Sequence, residues 1–289
     1  MRYLNAEATR HALPMVDAVE AMVRAFSGDS ESPLRSVVGP SLVMPGRLDD
    51  LMAVKIVSIV PGNPTGLVVA FAGDGEPLGV VDGSVLTAIR TGAASGLATR
   101  LMAREDVSTL AMLGSGAMAF DQIEAVRAVR RIERVLIWSR DIDNARTLAD
   151  RVGGEAVADA DEAVALADVV SCATPATVPL FSETSVRPGT HVNAVGAFTP
   201  EMTEIHADLL ERAYVVVDDV EAAREEAGDL IQANREPNAT LGDLLAGTAP
   251  EIGEDVTVFK SVGIAAQDVA AAATALANAA RNDIGVDLS

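Results

Sequence analysis

The segment STLAMLGSGAMAFDQIEAV sets a small-residue turn, Gly114-Ser115-Gly116-Ala117-Met118-Ala119, between the apolar run Thr109 to Leu113 and a helical pattern. A chain can pass from a buried strand into a helix over so few residues in only a few ways. This spacing is the G-x-G-x-x-A form of the turn that binds dinucleotides. Gly114 permits the tight turn, Gly116 lets the backbone approach a pyrophosphate, and Ala119 is small enough for the helix to lie on the strand. The helix N-terminus then faces the anion, with Ala117 and Met118 completing the cofactor-binding turn. Glycines also serve turns that bind nothing, so the context carries the reading: a strand before, a helix behind, and a second strand, Arg134 to Trp138, after that.

From Val107 onward apolar strands alternate with helical stretches, the pattern of parallel βαβ units. Strands are expected at Thr109 to Leu113, Arg134 to Trp138, Asp168 to Ala173, His191 to Val195 and Ala213 to Asp218, with helices beginning near Ala117, Ile142, Asp161 and Pro200. Val256 to Val262 reads as one more strand, and the alanine-rich Ala265 to Ala280 as a closing helix without a βαβ partner.

The chain before Val107 has another texture. Val16, Val19, Met22, Val23 and Phe26 recur at helical spacing and predict an amphipathic helix from Pro14 to Phe26. Short β-rich runs follow, Val37 to Met44, Leu51 to Val60, Leu67 to Ala72 and Leu78 to Val81. They are parted by the turn signals Pro45-Gly46, Pro61-Gly62-Asn63-Pro64 and Gly73-Asp74-Gly75. An antiparallel meander is the expectation. Asp82 to Met102, rich in Ala and Gly, reads as the link between two domains.

The second strand of the βαβ region ends in Ser139-Arg140. An Asp or Glu there would hydrogen-bond the ribose hydroxyls and repel a 2′-phosphate, whereas a hydroxyl and a guanidinium suit that phosphate. NADPH is the expected cofactor. NADH is the alternative, if Arg140 is a surface cation and Asp141 or Asp143 contacts the ribose.

Of 22 basic residues only Lys55 and Lys260 are lysine, and both lie in apolar strand-like runs, MAVKIVS and TVFKSVG. A cation is costly to bury without a partner, and lysine is the cation whose pKa responds to burial. Lys55 is either a substrate ligand or proton donor in a cleft, or a strand residue snorkelling to the surface. Lys260 stands between the same two readings.

Charge removes several function classes. The 42 acidic residues against 22 basic ones give a net charge of −20 with no basic cluster, which would repel a phosphate backbone, so no nucleic-acid partner is expected. The polar start MRYLNAEATR and the lack of a long apolar run predict a soluble, cytoplasmic protein with no membrane partner. Cys172, the one cysteine, reads as a small core residue. His11, His191 and His206 are too widely spaced to suggest a metal site, and His191 and His206 read as structural.

Several segments together resemble the ornithine cyclodeaminase and mu-crystallin family, which also contains archaeal-type alanine dehydrogenases and cyclic ketimine reductases. They are Lys55 to Ser58 with Pro61-Gly62-Asn63-Pro64, Leu86 to Ser95, the Gly114 turn, Ala194 to Pro200 with Glu204, Glu221 to Asp229, and Val258 to Ser261. They span nearly the whole chain, and their order is more specific than any one of them. The resemblance implies an α/β fold: a Rossmann dinucleotide-binding domain over 105–257, and an α+β substrate-binding and dimerisation domain formed by 1–104 with 258–289. It further implies that Arg35, Lys55 and Arg90 hold a substrate carboxylate, with Arg90 near the cofactor as well and Lys55 assisting protonation of the substrate. Ser261 would contact the nicotinamide end, and Ala173, Thr174 and Val195 would line the cofactor. Without the resemblance, Arg35 would pass as a loop cation.

One departure bears on the subclass. The cyclodeaminases carry an aspartate in the glycine-rich segment after the fifth strand, where this chain has Phe198, which neither accepts nor donates a proton. An apolar wall suits a cyclic imine, since each buried CH₂ adds about 0.8 kcal/mol. The implied activity is NADPH-dependent reduction of Delta(1)-pyrroline-2-carboxylate or Delta(1)-piperideine-2-carboxylate to proline or pipecolate. Ornithine cyclodeaminase or alanine dehydrogenase activity, and non-catalytic binding of NADPH and a small ligand, are the alternatives. The meander would leave a sheet edge open in a monomer, so a homodimer is expected.

Overall fold

The computed structural model describes residues 1–58, 60, 65–253 and 255–288. In chain order it begins with β1 (Arg2–Leu4), α1 (Ala6–Ala12), α2 (Met15–Ser27), β2 (Ser30–Glu31), β3 (Ser36–Val38), β4 (Ser41–Leu48), β5 (Leu51–Ser58), β6 (Gly66–Phe71), β7 (Pro77–Asp82) and α3 (Gly83–Met102). There follow β8 (Thr109–Leu113), α4 (Ala119–Val129), β9 (Arg134–Trp138), α5 (Ile142–Val152), β10 (Glu155–Val157), α6 (Ala160–Leu166), β11 (Val169–Cys172) and β12 (His191–Ala194). The chain ends with α7 (Ala207–Arg212), β13 (Tyr214–Val217), α8 (Val220–Glu226), α9 (Gly228–Ala233), β14 (Ala239–Thr240), α10 (Leu241–Ala246), β15 (Thr257–Lys260), α11 (Ala265–Asn282) and β16 (Val286–Asp287). It divides into two compact units, Met1–Ala93 with Ile264–Ser289, and Ala94–Gly263.

The first unit is built on a sheet of order β16-β1-β7-β6-β5-β4-β2, with β3 also pairing β4. The expected meander is its centre, β4 to β7, paired antiparallel throughout. α11 packs on α2 and across β4 to β7. The strand period of two decides what this helix covers: on β5, Ala53 and Lys55 are buried while Met52 and Ile56 are exposed.

Pro45-Gly46 is not a turn. Pro45 pairs with Val54 and Gly46 with Ala53 inside β4. On the other side of β4, β2 reaches only Arg47 and Leu48 and β3 only Ser41 to Val43, so Pro45 occupies a stretch with no second neighbour and tolerates its missing N–H. Gly46 serves a close approach: a Cβ there would lie 2.6 Å from Ala265 Cβ. The reversal comes instead at Asp49, whose φ of 54° is left-handed. Gly73-Asp74-Gly75 does turn β6 into β7. Pro61-Gly62-Asn63-Pro64 lie outside the described residues.

The second unit is a parallel sheet of order β10-β9-β8-β11-β12-β15-β13-β14. Strand order reverses between β8 and β11, the switch point at which open α/β sheets bind ligands beyond their carboxyl ends. Leu110, Met112, Ile123, Val126, Val135 and Ile137 fill the core on one side of this crevice. β15 is hydrogen-bonded to both β12 and β13. Val258 to Lys260 therefore belong to this unit, and the junction falls after Gly263 rather than at 257/258; the earlier one falls within α3 rather than after 104. No helix starts at Pro200. The backbone of Glu204 and Ile205 is tied to Asp229, and α7 begins only at Ala207, capped by His206. No described helix is long and apolar enough to cross a membrane.

Candidate active site

In the second unit the Gly114 turn has the geometry a dinucleotide needs. Gly114 has φ +115°, and a Cβ on it would lie 2.8 Å from the Ala173 carbonyl oxygen, so only glycine lets the turn rest against the loop after β11. A Cβ on Gly116 would meet nothing within 4 Å, which leaves its backbone open to a ligand. Met118 is the N-cap of α4 and makes no side-chain cap hydrogen bond, and the Ala119 N–H donates to the Gly116 carbonyl at 3.1 Å, so the turn leads directly into the positive end of the helix. The residues present fit the group.

At the end of β9, Ser139 Oγ lies 2.9 Å from Ser115 Oγ, and Arg140 is exposed. Asp141 caps α5 by accepting the Asp143 N–H at 2.9 Å, and Asp143 accepts from Arg146 at 2.8 Å. The two carboxylates that could have replaced Arg140 at the ribose thus have local structural tasks.

The loops following β11 and β12 meet on one carboxylate. Glu204, fully buried, accepts the Thr174 N–H (2.6 Å) and hydroxyl (2.9 Å) on Oε1, and the N–H groups of Gly196 (2.8 Å) and Ala197 (3.3 Å) on Oε2. Thr174 therefore donates both its protons inward, leaving its carbonyl and hydroxyl lone pairs for a ligand. Ala173 and Val195 donate their N–H groups to Leu113 and Cys172. Burial pushes the Glu204 pKa up, against the pull of Lys260.

Lys260 is not a surface cation. Its side chain is fully buried, with Nζ 2.7 Å from Asp229 Oδ2 and donating to the Ala197 carbonyl. Asp229 also accepts from Thr203 Oγ1 (3.0 Å) and the N–H groups of Glu204 (2.6 Å) and Ile205 (2.9 Å). Burial alone would raise the Asp229 pKa, but Lys260 and these donors hold it below the usual range. Ser261 donates to Asp218 Oδ2 at 2.8 Å, which leaves only its lone pairs for a ligand. Sequence reasoning missed the roles of Asp229 and Asp218, although a lone lysine in an apolar strand already implies a buried acid.

Two cations of the first unit share one acid. Lys55 Nζ lies 2.7 Å from Asp268 Oδ2, and Arg90 Nε donates to Asp268 Oδ1 at 3.2 Å. Arg90 Nη1 donates to Gln267 Oε1 at 2.8 Å. Burial, and to a lesser extent the charges of Arg90 and Arg35, lower the Lys55 pKa to about 8 in spite of Asp268. Burial works against ionisation of Asp268, but Lys55 and Arg90 outweigh it and its pKa is lowered. Gln267 Nε2 is buried with no hydrogen-bond partner among the described residues. Gln267 and Asp268 were missed; at the start of an alanine-rich helix they resemble ordinary first-turn residues.

His191 is buried between Thr257 Oγ1 (2.9 Å) and Asn193 Oδ1 (3.1 Å). Among the described residues His206 alone joins other potential ligands, Glu183 and Asp208, in a partly exposed group, and there it caps α7.

Residues 7–282 match the model of the ornithine cyclodeaminase/mu-crystallin family. A Delta(1)-pyrroline-2-carboxylate reductase from Bacillus cereus is 38% identical over 88% of this chain and 86% of its own. Among solved structures, the Thermococcus litoralis Delta(1)-pyrroline-2-carboxylate reductase in complex with NADH and L-proline superposes with a TM-score of 0.93 at 30% identity, covering 100% of both chains. An archaeal alanine dehydrogenase dimer with bound NAD superposes with a TM-score of 0.91 at 29% identity, covering 100% of this chain and 99% of its own. The chain belongs to the ornithine cyclodeaminase/mu-crystallin family.

Proposed function

We propose that the chain reduces the C=N bond of a cyclic 2-imino acid, Delta(1)-pyrroline-2-carboxylate or Delta(1)-piperideine-2-carboxylate, to proline or pipecolate. The observation that carries this reading is the pairing of Lys55 and Arg90 with the buried carboxylate of Asp268, with Arg35 near enough for its charge to act on Lys55. Two cations on one anion leave a positive charge there, ready for the carboxylate of an imino acid. Arg35 and Arg90 would hold that carboxylate at a fixed angle, and Lys55 would keep a proton at the imine nitrogen, making the adjacent carbon more electrophilic. With a pKa of about 8, Lys55 is charged at neutral pH yet able to give up its proton.

The Gly114 turn, with Ala117 and Met118, would hold the pyrophosphate of the dinucleotide. Ala173, Thr174, Val195 and Ser261 would border its reactive end. When bound, that group supplies the hydride. Ser139 and Arg140 favour NADPH over NADH, since Asp141 and Asp143 are engaged elsewhere. Phe198, 39% exposed, offers an apolar surface to the ring and no proton for cyclodeamination.

We further propose a homodimer formed through the sheet face of the first unit opposite α11, where Met52, Ile56 and Leu67 are each about half exposed. The archaeal alanine dehydrogenase is itself a dimer. A cytoplasmic setting suits a chain whose one cysteine, Cys172, is a buried free thiol. The activity is tested by following absorbance of NADPH and NADH separately against five- and six-membered cyclic imino acids, ornithine, and pyruvate with ammonia. Oxidation with the cyclic imino acids alone is expected, and its absence with both would overturn the reading.

A further inference from the structure

We propose that Glu204, backed by Asp229 and Lys260, is a positioning residue that fixes the two loops bordering the reactive end of the bound dinucleotide. The proposal rests on the dinucleotide reading above. Its basis is the division of labour within one carboxylate: Oε1 takes both protons of Thr174, on the loop after β11, and Oε2 takes the N–H groups of Gly196 and Ala197, on the loop after β12. The first loop is the one against which the Gly114 turn rests, 2.8 Å from a Cβ on Gly114 to the Ala173 carbonyl. A single side chain thereby sets the spacing of the two loops beside the phosphate turn.

Glu204 is itself held from behind. Asp229 accepts the Glu204 N–H, and Lys260 donates both to Asp229 and to the carbonyl of Ala197, on the same loop that Glu204 grips. All three side chains are buried, and no step of the proposed reaction uses them. A core of this volume would be cheaper to fill with apolar residues, because desolvating ions costs several kcal/mol each. What an apolar filling cannot do is accept hydrogen bonds from two loops at once.

Glu204→Gln separates positioning from stability. A carboxamide keeps the shape but has one accepting end, so its NH₂ must face the N–H of one loop. We expect the dissociation constant for NADPH, read by fluorescence titration, to rise about tenfold, and kcat with the cyclic imino acid to fall about tenfold or more. The KM for the imino acid should change less than about threefold, since its grip lies on other residues. Lys260→Met alone would leave Asp229 buried and unpaired, so the companion variant is Lys260→Met/Asp229→Asn, for which the same rise in dissociation constant is expected.

A folded Glu204→Gln that binds NADPH and turns over like wild type, with only its melting midpoint lowered, would overturn the proposal, and so would wild-type affinity in the double variant. The dissociation constant keeps the two readings apart. If wild type binds NADPH but reduces no cyclic imine, the activity fails while the tether is still tested by binding. If wild type binds no dinucleotide, both fail.

Discussion

Asp268 divides its two carboxylate oxygens between two cations, Oδ2 toward Lys55 at 2.7 Å and Oδ1 toward Arg90 at 3.2 Å. The pair with Lys55 is almost sealed from water, the side chains being 3% and 2% exposed. Burial lowers the Lys55 pKa, and Asp268 is the main group opposing it. If protonated Lys55 assists the imine, kcat/KM falls above about pH 8 in the native enzyme. Asp268→Asn removes the opposing charge, so the falling limb is expected to move down by about one pH unit or more. A limb that stays in place in Asp268→Asn would detach it from Lys55.

Lys55→Ala tests the same residue by removal. Turnover of the cyclic imino acid should drop by about a hundredfold or more, the scale of one positioned general acid. NADPH affinity, measured by fluorescence, should be unchanged. Retained turnover would remove Lys55 from the mechanism.

The choice between NADPH and NADH rests on Arg140 at the end of β9. Arg140→Ala should raise the KM for NADPH about tenfold or more and leave that for NADH within about twofold. Asp141→Ala should leave the ratio of the two unchanged and lower stability by about 1 kcal/mol, because its carboxylate accepts the Asp143 N–H at the start of α5. A ratio that moves with Asp141 and not with Arg140 would reverse the assignment.

How far these residues could be read before the fold was known depended on range. The Gly114 turn, β8 and β9 were legible to the residue because local signals coincide: an apolar run, a glycine spacing and a helical period. Pro45-Gly46 misled because a proline on an unpaired stretch of strand and a glycine under a helix look like a turn unless the partners are known. Lys55 announced itself as a cation in an apolar strand, but nothing local to Arg90 names Asp268, 178 residues further on. The Glu204 tether is hidden for the same reason, since its partners sit on strand ends that become neighbours only when the sheet forms.

His191 gives a test of the fold that is independent of catalysis. Buried in the parallel sheet, it has its pKa lowered from 6.5 to about 4 by desolvation, against the hydrogen bond to Asn193. The unfolded chain takes up a proton below pH 6.5 and the folded chain only near pH 4, so in that window unfolding binds more protons and stability falls as the pH falls. The loss amounts to about 3 kcal/mol by pH 4. Urea unfolding across this range should show that component in wild type and lack it in His191→Gln, where no group titrates; equal pH dependence in the two proteins would mean that His191 is solvated.

The last prediction concerns the sheet face opposite α11. The register sets Met52 opposite Phe71, Val54 opposite Val69 and Ile56 opposite Leu67, so six apolar side chains form one stripe. Met52, Ile56 and Leu67 are 52%, 49% and 48% exposed in the single chain. Scattered apolar residues need no partner, but a contiguous band on the face of a sheet does. The outer strands β16 and β2 are only two residues long, and we place the interface on this face rather than on the edge expected from the meander. Ile56→Asp puts a charge into the stripe without touching the covered side, where Lys55 and Ala53 lie. Sedimentation velocity should show wild type as a dimer and Ile56→Asp as a monomer that still binds NADPH; an unaltered dimer in the variant would move the interface elsewhere.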